Sequence, residues 1–170
     1  MSLLETPRLL LRRWGDEDEP ALTAIFADGE TMRYIGKGYP NGLAPEQARE
    51  ALNAMKMRYT RDGIGIWPVV LKETGKLIGV CGLQPLPATS DVELAYIFDA
   101  EHRGKGYATE AASAVVDFGF RDRGFTRIVA VVHPFNQRSI ALVGRLGMRF
   151  ERVVRAYQND VLKYVKERAP

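Results

Sequence analysis

A chain of 170 residues, 46% hydrophobic and 26% charged, is long enough to bury the core of one domain and is neither disordered nor fibrous in composition. Its formal charge of +3 conceals an asymmetry: residues 1–120 carry 13 Lys and Arg against 17 Asp and Glu, and residues 121–170 carry 11 against 4. No stretch reaches the ~20 apolar residues of a membrane span, MSLLETPRLLLRRW lacks the pattern of a signal peptide, and a single cysteine excludes a disulfide framework or a thiol zinc site, so a cytoplasmic protein with no membrane contact and no metal is expected.

In chain order, residues 7–14, PRLLLRRW, predict a short opening strand that ends in a turn. Asp16 is placed to cap a helix whose apolar positions Leu22, Ile25 and Phe26 fall at helical spacing. Residues 36–45, GKGYPNGLAP, hold three glycines and two prolines and predict a loop, a common place for binding residues. Pro45 suits a first helical turn, and the helix it opens runs to Gly63. IGIWPVVLK, KLIGVCGLQP and DVELAYIFD predict three successive strands, with a hairpin turn at ETGK and Cys81 as a buried packing residue. A helix follows HRGKGY and ends near Gly124. RIVAVVHP then predicts a strand, NQRSIALVGRLG a helix closed by Gly147, and MRFERVVRAY with DVLKYVKE a terminal strand pair. This order describes one α+β domain over 1–170, a mixed sheet covered by helices, and not a doubly wound sheet.

HRGKGYATEA, residues 102–111, stands between the third of those strands and its helix. A helix start leaves N–H groups unpaired and carries partial positive charge, so an anion there is stabilised. Gly104 and Gly106 remove Cβ atoms that would hold a ligand away, and Arg103 and Lys105 add positive charge. Other phosphate cradles fit poorly: a P-loop needs Ser or Thr after its lysine, where Gly106 follows Lys105, and the third glycine of a dinucleotide fingerprint is Thr109.

The whole string is more specific. Arg103-x-x-Gly106-x-Ala108, after ELAYIF and opening a long helix, resembles the acyl-CoA pyrophosphate motif of the GNAT N-acetyltransferase superfamily. VVHPFNQRSIALVGRLGM resembles its second cofactor segment, and LETPRLLLRRW resembles the start of its RimJ/RimL-like branch, whose members acetylate protein N-terminal amines or small amines. The resemblance covers nearly the full length. It implies a GNAT-like mixed, mostly antiparallel central sheet of about seven strands with helices on both faces. It also implies acetyl transfer from acetyl-CoA to a primary amine, by direct attack in a ternary complex.

The same resemblance assigns residues. Backbone groups of Arg103, Gly104, Lys105, Gly106, Tyr107 and Ala108 surround the pyrophosphate, and free backbone around Ile97 and Phe98 pairs with the pantetheine arm. Asn136 matches the asparagine that bonds pantetheine, although it would equally cap the helix that follows. The tyrosine that many members use to protonate the leaving thiolate is replaced by Val143; Ser139 matches a serine of the RimJ/RimL-like branch and is the candidate to donate to that thiolate, directly or through water, as well as to contact the cofactor. Read from the strand's alternation, Glu93 is the candidate base, on one face with Ala95 and Ile97, with an exposed strand residue paired with an Arg as its alternative. Tyr96, on the opposite face, is expected in the core.

Two rival readings stay open. The basic C-terminal third suggests a nucleic-acid or ribosome-associated protein, but its charges are scattered and no RNA-binding signature appears. The missing tyrosine at Val143 leaves room for a module that binds acyl-CoA without turnover. The expected partner is an amine acceptor, a protein N-terminus among the possibilities, and the expected assembly a monomer or homodimer.

Overall fold

A computed structural model describes the backbone of residues 2–169 and the side chains in that span other than those of 2 and 59–62. Two short strands, β1 (Ser2–Glu5) and β2 (Leu9–Arg12), lead to helices α1 (Glu19–Ala27), α2 (Gly29–Met32) and α3 (Pro45–Asp62). Strands β3 (Ile66–Leu71), β4 (Lys76–Pro85) and β5 (Val92–Phe98) form an antiparallel meander. Helix α4 (Tyr107–Arg121), strand β6 (Arg127–Val132), helix α5 (Gln137–Arg145) and the hairpin β7 (Arg149–Ala156) and β8 (Asn159–Glu167) complete the chain.

All eight strands form one sheet in the order β1-β2-β3-β4-β5-β6-β8-β7. The expected fold class holds, with one strand more than the seven anticipated: β1 pairs with β2 through Leu4 and Leu11. Capping also differs from expectation. Asp16 opens a 3-10 turn, and Asp18 stands at the N-cap of α1, where its carboxylate accepts from the Gly15 N–H at 2.8 Å and from the Arg12 guanidinium at 2.7 Å.

The two faces bury separate cores. Ala112, Val115 and Val116 of α4 and Leu142 and Val143 of α5 pack with Trp67, Ile78, Cys81 and Leu83 on one face. Leu22 and Phe26 of α1 and Leu52 of α3 pack with Ile66 and Val80 on the other. Cys81 is fully buried, as its apolar setting predicts, and burial pushes its thiol up. Every residue of β3 is buried, as a central strand covered on both faces requires, and Pro68 lies beyond the register of β2, where a missing N–H costs least.

One feature of the sheet positions the site. The β5–β6 contact is the single parallel one, and its register is one pair, Glu93 with Val129. Beyond that pair the C-terminal halves of the two strands diverge, which opens the sheet between them.

Candidate active site

Two clefts flank this opening. The first, about 730 Å³, runs between the α4 start, the α5 start and the end of β5. The second, about 390 Å³, lies between β5, β6, the α1–α3 face and the β7–β8 hairpin tip. Tyr96, Ile97, Asn136 and Ser139 line both, so the clefts meet there.

The first cleft is bounded by the glycine loop. Gly104 and Gly106 have φ of +74° and +82°, and Gly106 is the N-cap of α4 with no capping side chain. The first helical bond there runs from Glu110 N–H to the Gly106 carbonyl, which leaves the N–H groups ahead of it turned outward. The loop is clamped from behind: the Arg8 guanidinium donates to the Lys105 carbonyl at 2.9 Å and pairs with Glu110 at 2.7 Å, while its plane covers the Tyr107 ring at 4.5 Å. His102 joins the clamp through Nδ1, 2.7 Å from Asp99.

Of the residues the resemblance assigns to the cofactor, Ile97, Phe98, Arg103, Gly104, Gly106, Tyr107, Ala108, Asn136 and Ser139 line this cleft. Lys105 does not. Set between two left-handed glycines, it turns an exposed side chain away. The Arg103 guanidinium donates to the Phe98 carbonyl at 3.2 Å and to the Thr31 hydroxyl, and burial, then the charge of Arg138, lowers its pKa. Arg138 and Arg145 add two cations that sequence reasoning missed, although their spacing of seven puts them on one face of α5. Other charges of the basic third are absorbed inside the sheet, where Arg127 pairs with Asp91 and Glu151, and Lys163 with Asp91.

Backbone groups around β5 are divided by the ladder. The Asp99 N–H donates to the Ile78 carbonyl, so alternation turns Ile97 toward β4 and turns Tyr96 and Phe98 toward the gap facing β6. Ile97 therefore offers the clefts its side chain, and Tyr96 and Phe98 the backbone. Asn136 does cap α5, its Oδ1 accepting from the Ser139 N–H at 3.2 Å, and this leaves its amide N–H groups to donate.

At the junction the Ser139 and Tyr96 hydroxyls are 2.5 Å apart. Burial pushes Tyr96 up to about 12, so its proton stays on at neutral pH. Val143 is fully buried in the α5 core and offers nothing to the cleft. Tyr96, expected in the core, is thus half correct: its ring packs there, while its hydroxyl reaches the cleft.

Glu93 is 5% exposed and lines the second cleft. Its Oε2 accepts from the Tyr157 hydroxyl at 2.5 Å and from Gln84 Nε2 at 3.2 Å, leaving Oε1 to accept another proton. Arg58 donates to Gln84 Oε1 from behind. Burial outweighs these bonds and raises Glu93 to about 7. Tyr157 is raised by burial and then by the Glu93 charge. It sits at φ +50° in the β7–β8 turn, an uncommon conformation for a tyrosine.

Residues 8–149 match the family model of the acetyltransferase (GNAT) domain. The chain belongs to the GNAT acetyltransferase family. It is 32% identical over 168 residues to the uncharacterized protein YkkB of Bacillus subtilis, covering 96% of this chain and 95% of that one. It is 35% identical over 156 residues to the uncharacterized N-acetyltransferase YoaA of the same organism, covering 91% and 87%. Among solved structures, an acetyltransferase from Agrobacterium tumefaciens superposes with a TM-score of 0.84 at 28% identity, covering 97% of this chain and 94% of that one. RimL, the ribosomal L7/L12 alpha-N-protein acetyltransferase, solved in complex with coenzyme A, shares the fold with a TM-score of 0.81 at 17% identity, covering 98% of each chain. The family is one of acetyl-CoA-dependent acyltransferases, and the first cleft fits such a ligand: cations and outward N–H groups at one end, free strand backbone at the other. Among the described residues no helix is long and apolar enough to cross a membrane.

Proposed function

We infer that this GNAT enzyme transfers an acetyl group from acetyl-CoA in the first cleft to a primary amine in the second, by direct attack while both are bound. The meeting of the clefts at Tyr96, Ile97, Asn136 and Ser139 carries this reading, because a thioester along one would face a nitrogen in the other. Acetyl-CoA supplies an activated acyl group, whose transfer forms one C–N bond and breaks one C–S bond, the nitrogen losing a proton and the sulfur gaining one.

The protein's residues do the rest. The outward N–H groups of the loop, with Arg103, Arg138 and Arg145, hold the phosphates. Tyr96 and Phe98 backbone and the Asn136 amide hold the arm that leads inward. Glu93, with Oε1 open and a pKa near neutrality, takes the proton of the amine through water. Ser139, backed by Tyr96, donates to the charge that develops on sulfur. Much of the rate comes from holding the two reactants in line.

Initial rates of thiol release, measured while acetyl-CoA and amine are varied together, test this. Intersecting reciprocal plots and a singly acetylated amine by mass spectrometry are expected. Parallel plots would contradict direct attack, and an absence of thiol release across amines would contradict transfer.

A further inference from the structure

The second cleft is chemically one-sided. Its charged groups gather in one bonded cluster, Glu93 with Tyr157, Gln84 and Arg58, and the neutral Tyr96, Asn136 and Ser139 mark its junction with the first cleft. Beyond the cluster, the junction and the neutral rings of Tyr34, Tyr39 and His133, its wall is apolar, formed by Phe26, Met32, Ile35, Leu43, Met55 and Ile66. Among the described lining residues the formal charges are Glu93 and Arg58, with His133 the one imidazole, stacked on Tyr34 at 4.8 Å. Arg58 is spent inside the cluster, where it offsets the Glu93 charge through Gln84.

We propose that the acceptor is a small monoamine whose nitrogen is joined to a compact apolar body, such as an arylalkyl or branched alkyl group, with no second charge; this rests on the acetyl-transfer reading above. The size agrees, since about 390 Å³ is the lower end of a small-molecule pocket. The ammonium gives one proton to Glu93, the neutral nitrogen attacks, and the body fills the apolar wall. A polyamine or aminoglycoside would bring further ammonium groups against Met and Leu with no anion to meet them. A carboxylate beside the amine would stand against Glu93. A polypeptide N-terminus would need an exit for its chain, and Asn159 Nδ2 ties the hairpin tip to the Gly36 carbonyl at 3.1 Å on the cleft's edge. Met32 and Met55 make the wall adaptable, which suits a range of apolar shapes over one rigid skeleton.

The test is a thiol-release comparison of 2-phenylethylamine and isoamylamine with phenylalanine, spermidine, an aminoglycoside and a hexapeptide bearing a free N-terminal serine. The apolar monoamines are expected to exceed every other acceptor at least about tenfold in kcat/KM. Met55→Glu, which puts a second carboxylate in the wall, should narrow the gap between phenylethylamine and spermidine at least about tenfold, with acetyl-CoA affinity unchanged. A charged acceptor or the peptide as best substrate, or an unchanged ratio in Met55→Glu, would overturn the inference and leave acetyl transfer standing. Acetyl-CoA binding without thiol release from any acceptor would overturn the transfer reading, and the inference with it.

Discussion

The hydroxyl oxygens of Tyr96 and Ser139 lie 2.5 Å apart where the two clefts meet, one from strand β5 and one from the first turn of α5. A serine alone is a weak acid. Paired with a phenol that keeps its proton, it can donate toward sulfur while accepting from behind. Ser139→Ala and Tyr96→Phe are each expected to lower kcat at saturation by about ten- to a hundredfold, with little change in acetyl-CoA affinity. In the proposed mechanism the two act as a unit, so the double variant should be no more than a few-fold worse than the more impaired single one, measured in a chemistry-limited thiol-release assay.

In the proposed mechanism Glu93 serves as base only when ionised, and burial raises its pKa to about 7. The wild-type kcat/KM for a given amine should therefore bend near pH 7, rising steeply below it and less steeply above. Glu93→Gln should remove that bend and lose most activity at the acid end, with partial recovery as pH rises and the amine deprotonates unaided. A loss below about threefold in parallel profiles, under ~1 kcal/mol of transition-state stabilisation, would make Glu93 structural.

Tyr157 donates its hydroxyl to Glu93, and a bond to the charged form lowers a carboxylate's pKa. Tyr157→Phe should move the bend in kcat/KM upward in pH without removing it. A Tyr157 that merely packs the hairpin would leave the bend in place, so the profile separates the two roles.

Much of this was legible in the sequence, and the rest depends on where strands part. Period two correctly set Glu93, Ala95 and Ile97 on one strand face and Leu94, Tyr96 and Phe98 on the other; the fold turns Ala95 and Ile97 toward the α1–α3 core, Glu93 into the second cleft, and the other three toward the α4–α5 core. It placed Tyr96 wholly in the core because alternation cannot show that β6 leaves β5 after Glu93, which uncovers the end of that face. Tyr157 carries no local signal at all: a hairpin turn favours Asn or Gly at φ > 0, and the tyrosine is explained only by a partner 64 residues away. Strand β1 was missed because four residues hold too little pattern to mark a strand.

Fold stability has its own test at the entry to α1. Asp18 is 2% exposed and its carboxylate is held by Arg12. Arg12→Ala leaves that charge buried with only the Gly15 N–H, and should lower unfolding free energy by about 2–3 kcal/mol, less than a fully buried pair because Arg12 is partly exposed. Urea unfolding should show this with acetyl-CoA affinity retained.

The most direct test of the two-cleft arrangement is a calorimetric titration of acetyl-CoA into three proteins: wild type, Gly106→Glu and Gly124→Glu. Both glycines hold left-handed backbone, φ +82° and +68°, so either substitution strains the chain by about 1–2 kcal/mol. A Cβ on Gly106 would stand 3.3 Å from Arg8 Nη2, so a Glu there also disturbs the clamp that holds the loop, whereas one on Gly124 meets nothing within 4 Å. The expected result is tight binding to wild type, affinity within about twofold in Gly124→Glu, and at least a ~100-fold loss in folded Gly106→Glu, equivalent to about 2.7 kcal/mol. Unchanged affinity in a folded Gly106→Glu, or equal losses in both variants, would contradict a phosphate cradle at the start of α4.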